Sequence, residues 1–124
     1  MTKPTHPVEL ICCAIATQEG YFSGMMDLPR IDNNPGDLDF LGQLGATQAG
    51  RFAKWPTPAQ GITGLFRQVW LQVAGGQTLR QIINQWAPAT ENNTTAYLEN
   101  VLKWTGLPAD TPILQLLPPL VSLA

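Results

Sequence analysis

Histidine occurs once in these 124 residues and cysteine only twice, at neighbouring positions. Both scarcities exclude chemistry. Cys12 and Cys13 lie side by side on a predicted helix and point in different directions, so a disulfide between them would need unusual backbone geometry; they read as two free thiols. Cys12 falls on the helix's inner stripe and reads as core. No His–Cys spacing suggests a metal site or an activated nucleophile, and His6, with no partner nearby in sequence, reads as an exposed residue just ahead of the helix. A Ser–His or Cys–His hydrolase is therefore disfavoured, and no metal or other cofactor is expected.

Charge is scarce too. Only 13% of residues are charged against 44% hydrophobic, and the formal net charge is -2. A phosphate-backbone ligand calls for a clustered basic face, so nucleic acid is not an expected partner. Apolar content this high argues for a folded chain whose exterior is built largely from Gln, Asn, Thr and Gly. The length suits one compact domain over residues 1–124, with 1–6 as a flexible N-terminal arm and 108–124 as an apolar segment interrupted by prolines. Long hydrophobic runs are absent. Val8 to Ala16 is broken by Glu9, and Ile113 to Ala124 by Pro118 and Pro119, so neither a membrane span nor a signal peptide is expected.

What is present is helical patterning with turn signals between. PVELICCAIATQEG, from Pro7 to Gly20, predicts a short helix with proline in its first turn and glycine at its stop. The stretch from Tyr21 to Pro56 reads as loop and short strand: Asn33-Asn34-Pro35-Gly36 has strong turn chemistry, and Arg51 to Trp55 alternates as a strand. Thr57-Pro58 starts a second helix in which Ile62, Leu65, Phe66, Val69 and Val73 recur at helical spacing until Gly75-Gly76. Thr78 caps a third, with Leu79, Ile82, Ile83 and Trp86 inward, ending before Pro88. Asn92 or Asn93 caps a fourth, carrying Tyr97, Leu98, Val101, Leu102 and Trp104 and closed by Gly106. The expected class is mainly α, with a small β/loop excursion after the first helix.

One residue breaks this pattern. At about 100° per residue, Val8, Ile11, Cys12 and Ile15 form one stripe, and Glu19 falls within roughly 20° of its centre, whereas Glu9 falls toward solvent. A carboxyl at the inner end of an apolar stripe is partly desolvated, which raises its pKa and keeps it protonated, the state a general acid needs. The other reading is a last-turn glutamate that reaches water or caps a nearby loop.

The ordered set of motifs resembles a known family. Ala14-Ile15-Ala16-Thr17-Gln18-Glu19-Gly20-Tyr21, then Asn33-Asn34-Pro35-Gly36-Asp37-Leu38, Gly50-Arg51-Phe52-Ala53-Lys54-Trp55-Pro56-Thr57-Pro58, Thr78-Leu79-Arg80-Gln81, Trp86-Ala87-Pro88 and Glu91-Asn92-Asn93-Thr94-Thr95-Ala96-Tyr97 resemble small phage-associated domains of the lysozyme superfamily. These are related to goose-type lysozymes and lytic transglycosylases and are often described as phage structural proteins. The resemblance spans about residues 10 to 107. It departs at two positions, where the family usually has Asn for Asp37 and a basic residue for Asp39.

The resemblance implies an α+β lysozyme-like fold, helices around a cleft, and Glu19 as the catalytic glutamate. The implied activity is cleavage of the β-1,4 bond between N-acetylmuramic acid and N-acetylglucosamine in peptidoglycan glycan strands, by hydrolysis or by lytic transglycosylation. Hydrolysis with inversion needs a second carboxylate, for which Asp27, Asp32, Asp37, Asp39 and Glu91 are all available. A sugar cleft should be polar with a few aromatic faces, and Asn33, Asn34, Trp86 and Tyr97 fit that description. Each has a structural reading as well: turn for the two asparagines, core for Trp86, packing on the first helix for Tyr97. The alternative function is a non-catalytic phage structural or peptidoglycan-binding protein, with other virion proteins as partners; the acidic balance favours it, giving no long-range attraction to an anionic wall. Either way the implied site of synthesis is the bacterial cytoplasm, with delivery to virion or wall by means other than a signal peptide.

Overall fold

The computed structural model of the protein describes residues 6–24, 27–88 and 93–118. Its architecture is mainly helical with one small antiparallel sheet. Helix α1 (Pro7–Gln18) is followed by a short α2 (Leu28–Ile31), a hairpin of β1 (Thr47–Ala49) and β2 (Phe52–Lys54), then α3 (Pro58–Ala74), α4 (Leu79–Trp86) and α5 (Thr94–Thr105), and a 3₁₀ turn, Ile113–Leu116. The hairpin pairs Thr47 with Lys54, Gln48 with Ala53 and Ala49 with Phe52.

Local chemistry sets the helix ends. The hydroxyls of Thr57 and Thr78 accept from the backbone of Gln60 and Gln81, and Gln81 returns a bond to the Thr78 N–H, which closes a capping box. Asn93 caps α5 through Ala96 N–H, and Gly106 ends it in the left-handed region that costs glycine nothing. His6 is not an exposed end residue in a flexible arm: it is half-buried, its Nδ1 accepts from Val8 N–H at 3.2 Å, and its ring lies 5.7 Å from that of Trp70. The rest of the expected arm, residues 1–5, lies outside the described residues.

Helix α1 is the centre of the core. Val8, Ile11, Cys12 and Ile15 are buried as their phase requires, together with Ala14 and Ala16, and α1 packs against both α5 and α3. Leu65, Val69 and Val73 of α3, Leu79, Ile82 and Ile83 of α4, and Leu98 and Val101 of α5 complete one cluster, and Ile113 of the apolar C-terminal segment joins it. Ile62 departs from its expected inward place and is 42% exposed, as is Trp104 at 45%. Both sit on the rim of their helix's stripe, where none of the described elements covers them fully. Cys12 is buried and Cys13 exposed, each a free thiol; burial raises both pKa values, so neither is activated. No helix among the described residues is long and apolar enough to cross a membrane.

Candidate active site

Glu19 stands at the C-cap of α1, held there by the way the helix stops. Gly20 takes φ +83°, the Tyr21 N–H bonds back to Ala16 O and the Gly20 N–H to Thr17 O, the paired bonds of a Schellman ending. A side chain at position 20 would be strained by that φ and would meet Asp27 Oδ2. The carboxyl of Glu19 is half-buried, and the hydroxyl of Tyr97 on α5 donates to its Oε2 at 2.7 Å. One residue back on α1 and about one turn further along α5, Asn100 Nδ2 donates to Gln18 Oε1 at 3.1 Å, a second tie between the same two elements.

Three influences act on Glu19, and the largest wins. Burial pushes its pKa up; the hydrogen bond from Tyr97 favours the charged form and pulls it down; the nearby charge of Asp37 pushes it up again. The outcome is a carboxyl raised from the ordinary 4.5 to about 7. Tyr97, 5% exposed and beside that carboxyl, has its own pKa raised, so its hydroxyl stays protonated and remains a donor.

In the loop from Asn33 to Asp39, residues Gly36 to Asp39 form one wall of a cleft, and Asp37 is the member of it whose charge reaches Glu19. Asn33 and Asp37 adopt φ of 51° and 50°, a region that Asn and Asp tolerate better than other side chains with a Cβ. Asn34 does not line the groove. It is fully buried, its Nδ2 donates to the carbonyls of Leu38 and Ala53 at 2.9 Å each, and its Oδ1 accepts from Leu38 N–H, so its hydrogen-bonding groups are spent inside the loop. Asn33 Nδ2 likewise donates to Trp55 O at 2.8 Å. Both asparagines build the wall rather than reach across it.

Trp86 unites the two readings open to it. Packed partly against the core, its indole N–H donates to Gly36 O at 2.8 Å, and its ring lines a cleft of about 300 Å³ together with Asp37, Arg51, Gln68, Gln72 and Gln85. Gly36 is required at that contact, because a Cβ there would press on both Trp86 and Leu65.

Among the five acidic residues in these loops, Asp37 is distinguished. Asp27 caps α2, Asp32 is buried at that helix's end, and Asp39 pairs with Arg51 at 3.1 Å. Among the described ones Asp37 is the one that acts on Glu19, and its own pKa is raised by burial, against the pull of Arg51, with further push from Asp32, Asp39 and Asp27. Glu91 lies outside the described residues. No cluster of metal-ligating side chains exists among the described residues. Comparison of the chain with protein-family models, curated proteins and solved structures finds no match.

Proposed function

We propose that this protein cleaves the β-1,4 glycosidic bond between N-acetylmuramic acid and N-acetylglucosamine in peptidoglycan, on a lysozyme-like fold, with Glu19 as the general acid. The observation that carries the reading is the Tyr97–Glu19 pair: a desolvated carboxyl, protonated near neutral pH, with one oxygen fixed by a phenol and the other left to present its proton.

Cleavage requires a proton on the leaving oxygen as positive charge grows at the anomeric carbon. Glu19 supplies that proton. As it leaves, the bond from Tyr97 strengthens onto the new carboxylate, and the charge of Asp37 favours the developing cation. The cycle closes either by attack of the substrate's own hydroxyl, with Glu19 taking back a proton as base, or by attack of water activated by a second carboxylate.

Zymography on purified peptidoglycan, wild type beside Glu19→Gln, tests the reading. Clearing by wild type and none by the variant supports it. Equal clearing by both removes Glu19 from the chemistry, and no clearing by wild type on any peptidoglycan favours a non-catalytic virion or wall-binding protein.

A further inference from the structure

The loop that leads into the hairpin carries two leucines in the open: Leu41 is 81% exposed and Leu44 92%. They are not loose. Gln43 holds the turn from inside, its Oε1 accepting from Leu41 N–H and its Nε2 donating to Asp39 O, each at 2.8 Å, while Leu44 O accepts from the indole N–H of Trp55 at 3.1 Å. A turn tied inward by its polar groups, with its apolar side chains left in water, is shaped for contact.

Beside these leucines runs a groove of about 350 Å³, with α3 as one bank and the loop as the other. Along α3 it extends from Ala59 to Leu71, about 18 Å at the helical rise. The two banks change character together. Trp55 bonds Leu44 O and lays its ring against Gly64, and Gly45 sits against both Trp55 and Gln60, so the Leu44 end of the loop faces the first half of α3. There α3 offers the small Ala59, Thr63 and Gly64. At the other end, Leu38 and Asp39 line the neighbouring cleft together with Gln68, and there α3 offers the exposed Arg67, the single charge among the described residues of the groove.

We propose that a second copy of this chain occupies the groove, related by a twofold axis that runs along it. Such an axis keeps each loop at its own height along the groove and lays it across the α3 of the other copy. Leu44 of each copy then rests on the small Ala59, Thr63 and Gly64 of the other, and Arg67 of each meets the half-exposed Asp39 of the other. Bulk meets a hollow and cation meets carboxylate, both supplied by one surface. The groove's lining is smaller than the roughly 20–30 residues a side of a standard interface, so the pair should be weak, with a dissociation constant on the order of 10–100 µM. The inference goes beyond the glycan reading and does not depend on it.

Sedimentation equilibrium of the full chain over roughly 5 µM to 1 mM tests it. The expected result is a monomer–dimer equilibrium weakened at least roughly tenfold by Leu44→Asp, because each pair loses two buried leucines, and also weakened by Arg67→Glu. Phe22→Asp, at an exposed apolar residue outside the groove, should leave the equilibrium unchanged. A monomer at every concentration overturns the proposal, and so does a dimer that Leu44→Asp leaves intact. Growth past the dimer overturns the twofold arrangement in favour of a head-to-tail contact. A monomer that floats with phosphatidylcholine–phosphatidylglycerol vesicles overturns it in favour of a lipid surface. Should Leu44→Asp fail to fold by circular dichroism, Arg67→Glu decides in its place.

Discussion

The Tyr97 hydroxyl donates to Glu19 Oε2 across 2.7 Å, joining two residues 78 positions apart in the chain. The bond opposes the burial that raises Glu19, since it favours the charged carboxylate. Tyr97→Phe keeps the buried ring and removes only that donor, so the pKa of Glu19 should climb above about 7. The alkaline limb of the pH–activity profile then moves to higher pH. Maximal activity falls roughly tenfold, because the carboxylate formed in the reaction loses its stabilising bond. An unmoved limb would show that Tyr97 does not set the acidity of Glu19.

Glu19→Gln should abolish cleavage, by at least roughly 100-fold, because an amide cannot act as a general acid, while the fold is kept. Its stability carries a pH signature. The folded protein holds the Glu19 proton more tightly than the unfolded chain does, so wild type has this contribution in full below about 4.5 and loses it as the pH rises to about 7. Gln has no such dependence. Relative to wild type, the variant should therefore gain with pH across that window, at about 1.4 kcal/mol for each pH unit, reaching on the order of 3 kcal/mol above it. Thermal melts at pH 4 and pH 8 check the difference; the same offset at both would mean that Glu19 is not desolvated.

How much of this was legible in sequence depends on the range of the interaction. Caps at Thr57, Thr78 and Asn93 and the stop at Gly106 are written in a few adjacent residues, and the phase of Glu19 on α1 is as local. Helix α2 was not visible: four residues begun by Asp27 and Pro29 offer no period, and they read as loop. Strand β1 was hidden as well, because Thr47 and Gln48 are exposed and carry no apolar alternation. Asn34 showed its turn chemistry but not that its side chain reaches Ala53 on the neighbouring strand. Gln72 gave no signal at all, since glutamine on a helix reads as solvent-facing until another element closes over it. Meeting of Tyr97 with Glu19 required α1 to pack on α5, and that is a property of the whole core.

Asn34 should prove a stability residue. Asn34→Ala removes three hydrogen bonds and leaves the Ala53 carbonyl and the Leu38 N–H without that partner, while the Leu38 carbonyl keeps the bond from Ala53 N–H, a loss of roughly 2–3 kcal/mol. Urea unfolding measures it. A change below about 0.5 kcal/mol would mean that water replaces the side chain without cost.

The thiols should be dispensable. Cys13 is exposed and Cys12 buried, both with raised pKa values, so alkylation of the native protein should reach Cys13 slowly, spare Cys12 and leave activity unchanged. Loss of cleavage after labelling at Cys13, with the fold intact by circular dichroism, would contradict this.

Asp37→Asn separates the two routes by which the cycle can close. Asparagine tolerates the φ of 50° that this position demands, so the loop should keep its shape. Removing the charge takes away one of the two influences that raise Glu19, and its pKa should fall, moving the alkaline limb of the activity profile to lower pH. Cleavage itself should survive within a few-fold if the cycle closes by transglycosylation, which needs no second carboxylate. Mass spectrometry of the products then finds 1,6-anhydro ends, formed when the substrate's own hydroxyl closes onto the anomeric carbon. A loss of roughly 100-fold, with wild type releasing only reducing ends, would instead make Asp37 the base that activates water and the reaction a hydrolysis.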